Sequence, residues 1–179
     1  ARLLYANLND QEGALQYLHE FGIANQSYNS EMLAGQSEIL VQLDRKDDAM
    51  QLLTGALEDN PDDETLQSAQ IQIQLIRTQD AIDEGKHRIA SRILGRALYN
   101  YPTDTSLRYA QALLYQEQNR FRRAAATLES LVNDHPDDAG LLNALGYLLT
   151  DQMNRHVEAQ GYLQKALATE PDNPAIIDS

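Results

Sequence analysis

The 179-residue chain contains no cysteine and no tryptophan. The missing cysteines exclude disulfides and thiolate chemistry, though they leave the compartment open. Aromatic residues make up only 6%, and five prolines are the only ones in the chain. No apolar run approaches the ~18 residues of a membrane span, so direct membrane insertion is not expected. Positive charge is scarce too: 14 Lys and Arg face 27 Asp and Glu, for a net −13. General nucleic-acid binding requires a basic footprint and is therefore not expected. The glycines form no phosphate-cradling loop, and the serines lack the context of a nucleophile elbow. None of His19, His87, His135 and His156 pairs with another His or a carboxylate at the i, i+4 spacing of a helical metal site within an apolar context. They are read as solvated surface groups. The expectation is a chain without catalytic residues, cofactor or metal, and so not an enzyme.

Ala, Leu, Gln and Asp are plentiful, and 42% of the residues are apolar. That composition favours helices and supplies enough apolar surface for a core. Four prolines stand in related texts: "NPDDETL" at Pro61, "YPTDTSL" at Pro102, "HPDDAGL" at Pro136 and "EPDNPAI" at Pro171. Each proline ends one helix, and the Asp, Thr or Asn after it offers an oxygen to cap the next. The acidic pairs Asp62-Asp63 and Asp137-Asp138, and likewise Asp47-Asp48, are read as helix starts rather than ligand sets, because negative charge there complements the helix dipole. Before each proline the same helix recurs. Ala49, Ala90, Ala124 and Ala159 are followed four residues on by Leu53, Leu94, Leu128 and Leu163, then by Ala56, Ala97, Leu131 and Ala166. Small residues let two helices approach while leucines fill the space beside them. Ala14 and Leu18 begin the pattern once more.

The repeated alanines lie 35, 41, 34 and 35 residues apart, counted from Ala14. A period near 34 with two helices per unit resembles the tetratricopeptide repeat family. The clearest unit is 139–173, where Leu145-Gly146, Ala159, Ala166 and Pro171 carry the likeness. Gln36-Ser37 and Gln111-Ala112 stand where the family favours Leu-Gly. The resemblance covers essentially the whole chain and implies an all-α, right-handed α-solenoid of helix-turn-helix repeats. The expected organisation is a partial repeat at 1–29, repeats at 30–63, 64–104, 105–138 and 139–173, and the start of a further helix at 174–179.

The stretch "SAQIQIQLIRTQDA", residues 68–81, alternates apolar and polar like a strand. The Pro61–Pro102 interval is seven residues longer than the next, about two helical turns or ~10.5 Å. On a helix, Leu66, Ala69, Ile73 and Ile76 fall on one side, and Ile71, Leu75 and Ile82 on the other. The reading is a first helix extended by about two turns and ending near Gly85; a looped insertion within 77–86 is the alternative.

Charge is unevenly spread. Residues 86–123 carry eight basic groups against two acidic ones, a local +6 beside −19 for the remainder. Arg88, Arg92 and Arg96, spaced one turn apart, form a stripe next to Ile89, Ile93 and Leu94. This is either a solvated outer face or a docking patch for an acidic surface.

The resemblance implies a partner-binding groove lined by first helices. It places there Glu38 and Gln42, either Gln72 or Gln74, then Tyr109, Leu113 and Gln116, and finally Asn143 and Tyr147. Tyr115 is assigned to the core. Ala34, Glu38 and Ser106 occupy places where the family's carboxylate-gripping receptors need Lys or Asn, so a chaperone-tail receptor is not expected. The implied function is a non-catalytic scaffold or adaptor for a protein or peptide. A self-assembly module, or an accessory domain of a larger enzyme, remains the alternative.

The "LNALGYLL…KALATEPDNPAIIDS" end further resembles bacterial envelope lipoprotein adaptors that hold a periplasmic processing protease. An envelope location, lipoprotein-anchored in full-length form, is thus favoured over a cytoplasmic one. Because the chain opens at Ala1 rather than Met and stops five residues after Pro174, it is expected to be a piece of a longer protein with at least one more repeat. Apolar residues around Leu163 and Leu167 are expected to be partly bare and to drive self-association through an exposed end.

Overall fold

The structure, a computed structural model, describes residues 12, 13, 15, 16, 29–171 and 173. The helix expected to start at Pro174, and nearly all of the partial repeat at 1–29, lie outside the described residues. From Ser30 onward the described residues form eight helices, Glu12, Gly13, Leu15 and Gln16 are helical as well, and none of the described residues is in a strand. In chain order these are α1 (Ser30–Gln42), α2 (Lys46–Asp59), α3 (Glu64–Asp83), α4 (His87–Asn100), α5 (Thr105–Glu117), α6 (Phe121–Asp134), α7 (Ala139–Asp151) and α8 (His156–Thr169).

Odd and even helices begin differently, and the sequence dictates both kinds of start. Each odd helix has a side-chain cap. Asn29 accepts from the Met32 amide (2.9 Å), Asp63 from Leu66 (3.0 Å), Asp104 from Leu107 (2.8 Å) and Asp138 from Leu141 (2.9 Å). Each bond satisfies one of the orphan donors of a first turn. Asp47 and Asp48 occupy the first turn of α2. Even helices instead follow a residue of positive φ: Asp44 (59°), Gly85 (69°), Asn119 (57°) or Asn154 (54°). At Gly85 the turn is closed by the Gly85 amide donating to the Ile82 carbonyl (2.8 Å) and Lys86 to Ala81 (2.7 Å). This 5→2 and 6→1 pairing is the Schellman arrangement, in which a left-handed residue recovers the carbonyls of the last turn. Gly85 is therefore the terminator expected from the sequence. Asp44, Asn119 and Asn154 take the same conformation one per repeat, as short polar side chains can.

Contacts divide the chain into two units, residues up to Arg77 and residues from Thr78 onward. In the first, α1 packs on α2. Leu40, Ala49, Leu53, Leu66 and Ile73 form its buried centre. The Ser30 hydroxyl donates to the Asp63 carboxylate, and Gln70 Nε2 donates to Thr54 Oγ1 at 3.2 Å, which accounts for a buried glutamine. In the second unit each helix from α4 to α8 packs on the next. Its continuous core runs from Ala112 through Ala124, Leu128, Leu131, Leu142, Leu145, Leu148 and Leu149 to Ala159 and Ala166. A leucine buried in this way is worth ~2–3 kcal/mol relative to exposure. Gly146 explains the Leu-Gly pair: a Cβ there would lie 2.6 Å from Leu163 Cγ. The α7–α8 approach thus requires a residue without a side chain.

Helix α3 is continuous over 20 residues, against 13 in α1, α5 and α7. The extension read from the sequence is present, and the looped insertion within 77–86 is not, because the helix runs to Asp83. Seven added residues turn a helix by ~700°, only about 20° short of two full turns, so both ends keep their phase. Leu66 follows Pro61 by five residues and is buried, as Leu107 is after Pro102 and Leu141 after Pro136. Thr78 precedes Gly85 by seven and is buried, as Ser37 is before Asp44 and Ala112 before Asn119. The face read as Leu66, Ala69, Ile73 and Ile76 needs correction at its end. Ile76 is exposed, and burial passes instead to Thr78 and Ala81.

Candidate partner-binding surfaces

On α5, Tyr109, Leu113 and Gln116 are all half-buried. Tyr109 lies against the second unit's core, where burial and then the Asp138 carboxylate raise its hydroxyl above the usual phenol range. That charge sits at the start of α7, so Tyr109 reaches from α5 to the neighbouring first helix. On α7, Asn143 is half-buried and Tyr147 is 54% exposed. Counted over 34 residues, Asn143 corresponds to Tyr109 and Tyr147 to Leu113, giving two rows of amphipathic or apolar groups on these helices. The surroundings are fixed. Leu145, Gly146, Leu148 and Leu149 are buried around Tyr147, and Arg108 binds α5 to α6 through Asp134 (2.6 Å) and Ser130 (2.8 Å). A side chain held out of such a core offers a ring and a hydroxyl at little ordering cost.

In the first unit, Glu38 and Gln42 are exposed on α1. Of the α3 alternatives, Gln72 is exposed and Gln74 half-buried. Counting back from the Gly85 turn, the α3 positions equivalent to Tyr109 and Leu113 are Leu75 and Gln79, whereas counting from Pro61 puts Gln72 at the Leu113 position, two turns earlier on the same side. Tyr115 is half-buried against the core, with the Arg123 guanidinium 5.9 Å above its ring. His135 and His156 are exposed as expected, and His135 Nε2 lies 2.9 Å from Thr105 Oγ1. His87, the first residue of α4, is half-buried instead. His19 lies outside the described residues.

The arginine stripe also differs from its sequence reading. On α4 the buried residues are Ala90, Leu94 and Ala97. Arg88, Arg92 and Arg96 are exposed on the opposite side, and Ile89 is 38% exposed beside them rather than buried. Among the described residues none of these three arginines makes an ion pair.

Sequence reading missed a further recurrence. Arg45, Lys86, Arg120 and Arg155 each follow a positive-φ residue and cap an even helix without a side-chain bond. Positive charge there opposes the helix dipole. In α2 and α8 an acid three residues on compensates, with Arg45–Asp48 and Arg155–Glu158 both at 2.7 Å. In α6 that position is Arg123. Asn119 to Arg123 therefore line a basic recess of about 470 Å³. The spacing, four residues before each repeated alanine, was the available signal.

Among the described residues, no group of three or more His, Cys, Asp or Glu is placed to hold a metal ion. None of the described helices is long and apolar enough to cross a membrane.

Capped odd helices, left-handed turns and small residues at each crossing define a protein built of repeated helical hairpins. Residues 109–174 match the tetratricopeptide repeat family, and this part of the chain consists of tetratricopeptide repeats. It is 33% identical over 144 residues to the TPR repeat-containing protein PA4667 of Pseudomonas aeruginosa. That alignment covers 80% of this chain and 23% of the relative, so the chain spans about a quarter of the relative's length. Among solved structures, MamA of Desulfovibrio magneticus RS-1 superposes with a TM-score of 0.59 at 18% identity, covering 95% of this chain and 91% of that one. YrrB, described as a TPR protein with an unusual peptide-binding site, gives 0.59 at 17% identity over 98% and 86%. Likeness at this identity establishes the shared all-α helical-repeat fold.

Proposed function

We propose that the chain is a non-catalytic scaffold whose second unit takes an extended peptide or protein segment on the first-helix face of α5 and α7. The observation that carries this reading is Tyr147, 54% exposed on a helix whose other large apolar side chains are buried. Tyr109, Leu113, Gln116 and Asn143 supply the neighbouring contacts. Glu38 and Gln42 are the candidates of the first unit, with Gln72 or Gln74 further along. Neutral amphipathic groups suit backbone amides and apolar side chains better than a terminal carboxylate, which needs cations. That YrrB is described as peptide-binding supports the choice of ligand class. The resemblance of the C-terminal residues to envelope adaptors narrows the reading further, to a lipoprotein-anchored adaptor holding a periplasmic protease.

A second reading, self-assembly, is favoured by Val157, 91% exposed, and by exposed Leu167 on α8. Affinity capture from the native organism tests the first reading, using the chain and its Tyr109→Ala/Tyr147→Ala variant as baits. A protein retained by the chain and lost by the variant supports the face; equal retention moves the site elsewhere. Sedimentation across a concentration series tests the second, which fails if the chain stays monomeric.

A further inference from the structure

The outer face of α4 belongs to neither core nor first-helix face, and three independent features meet on it. Arg88, Arg92 and Arg96 stand one turn apart, with rises of about 6 Å between them, and no carboxylate among the described residues pairs with any of the three. Tyr99, one turn further along the same side, is 87% exposed, and Ile89 is 38% exposed at the stripe's edge. Gly95 lies between them at mid-helix with nothing within 4 Å of where its Cβ would be. It fulfils no packing need while weakening the helix, and it opens a gap where another chain can approach. The repeat supplies its own control. The positions on α2 equivalent to Arg88, Arg92, Arg96 and Tyr99 are Asp47, Gln51, Gly55 and Glu58. Stacking of hairpins therefore does not demand the arginines.

We infer that this face of α4 is a second docking surface, and that its occupant is an acidic amphipathic helix of a partner protein. Carboxylates one turn apart on such a helix match the arginine rises, and an apolar residue beside them meets Tyr99. The charge pattern favours a short acidic segment over a polyanion. The positive face spans only about 12 Å along α4, while the chain as a whole carries −13. Screening acts within about 8–10 Å, so a discrete segment meets the arginines alone. A bilayer or a long nucleic acid extends well beyond about 12 Å and is disfavoured by the net charge of −13.

The test uses a labelled helical peptide with Glu at i, i+4 and i+8 and Leu alongside, against a scrambled peptide of identical composition. Binding is read by fluorescence anisotropy on the full chain. The matched peptide is expected to bind about tenfold tighter than the scrambled one at low salt, with an association rate that falls as salt rises. Arg92→Glu/Arg96→Glu removes that preference, and Tyr99→Ala reduces it severalfold, with helical circular dichroism unchanged. Tyr109→Ala/Tyr147→Ala leaves it intact, so failure here and failure of the first-helix reading are distinguishable. Equal binding of both peptides overturns the inference, as does a preference that survives the charge reversal. Tighter binding of phosphatidylserine vesicles or of single-stranded DNA than of the matched peptide overturns it as well.

Discussion

Helices α2 and α4 occupy the same place in successive repeats, and their inner and outer sides tell opposite stories. Inward, Ala49 and Leu53 of one match Ala90 and Leu94 of the other, all buried. Outward, Asp47 and Glu58 face Arg88 and Tyr99 at equivalent positions. What the hairpin stack imposes is repeated, because a crossing needs a small residue and a filler whatever the partner. What the stack leaves free has diverged in charge and shape, so information about partners resides there. The same holds for first helices: buried Ser37, Ala112 and Gly146 recur at the crossing, whereas Glu38, Leu113 and Tyr147 beside them differ in charge, size and polarity.

The comparison can be broken most severely from its inner side. Leu53→Ala and Leu94→Ala are each expected to cost about 3 kcal/mol, since both side chains are fully buried. Chemical denaturation reads the loss, and a much smaller cost at either site would mean that the two inner faces are not equivalent. Glycines provide the next contrast. Gly146→Ala forces a methyl group into Leu163 and is expected to destabilise by about 2 kcal/mol. Gly161→Ala, with open space around it, is expected to stabilise by about 0.5–1 kcal/mol through helix propensity. Thermal melts of the pair should move in opposite directions.

Caps come third. Asp104→Ala removes the bond to the Leu107 amide and is expected to cost about 1 kcal/mol. Asp63 adds a pH signature. The Ser30 hydroxyl, then the Leu66 amide, hold its carboxyl below the usual carboxylate value. Its contribution is therefore present above the unfolded value near 4 and is lost as pH falls through the lower folded one. Asp63→Asn should flatten the stability profile in that acid window; an unchanged profile would show that neither the Ser30 nor the Leu66 contact holds the carboxylate in solution. Smallest of all, Arg92→Glu/Arg96→Glu is expected to alter stability by less than about 0.5 kcal/mol, as exposed substitutions do. A larger loss would assign the stripe to the fold.

Legibility followed the same division. The alanine and leucine series, the proline texts and the surplus of seven residues made the helices, their capped starts and the long α3 readable in advance. Asp44, Asn119 and Asn154 were not read as turn residues, because Asn and Asp, unlike Gly, take positive φ in only a minority of their positions. Ile76 and Ile89 were placed inside because apolar spacing alone does not say which of two possible faces a neighbour covers. The partner faces were legible only by analogy with the family, since their residues do not recur and no local chemistry marks them. Gln72 and Gln74 illustrate the cost: the seven added residues of α3 allow two counts, and the position equivalent to Leu113 is Gln72 counted from Pro61 and Gln79 counted back from Gly85.

The central claim, that the first-helix face of α5 and α7 receives the partner, is tested most directly by site-specific photo-cross-linking in the native organism. A photoreactive phenylalanine analogue replaces Tyr147 in one strain and exposed Ala126 of α6 in another. The account predicts a discrete protein adduct from position 147 and none from position 126. An adduct formed only from position 126, or equally from both, would contradict it.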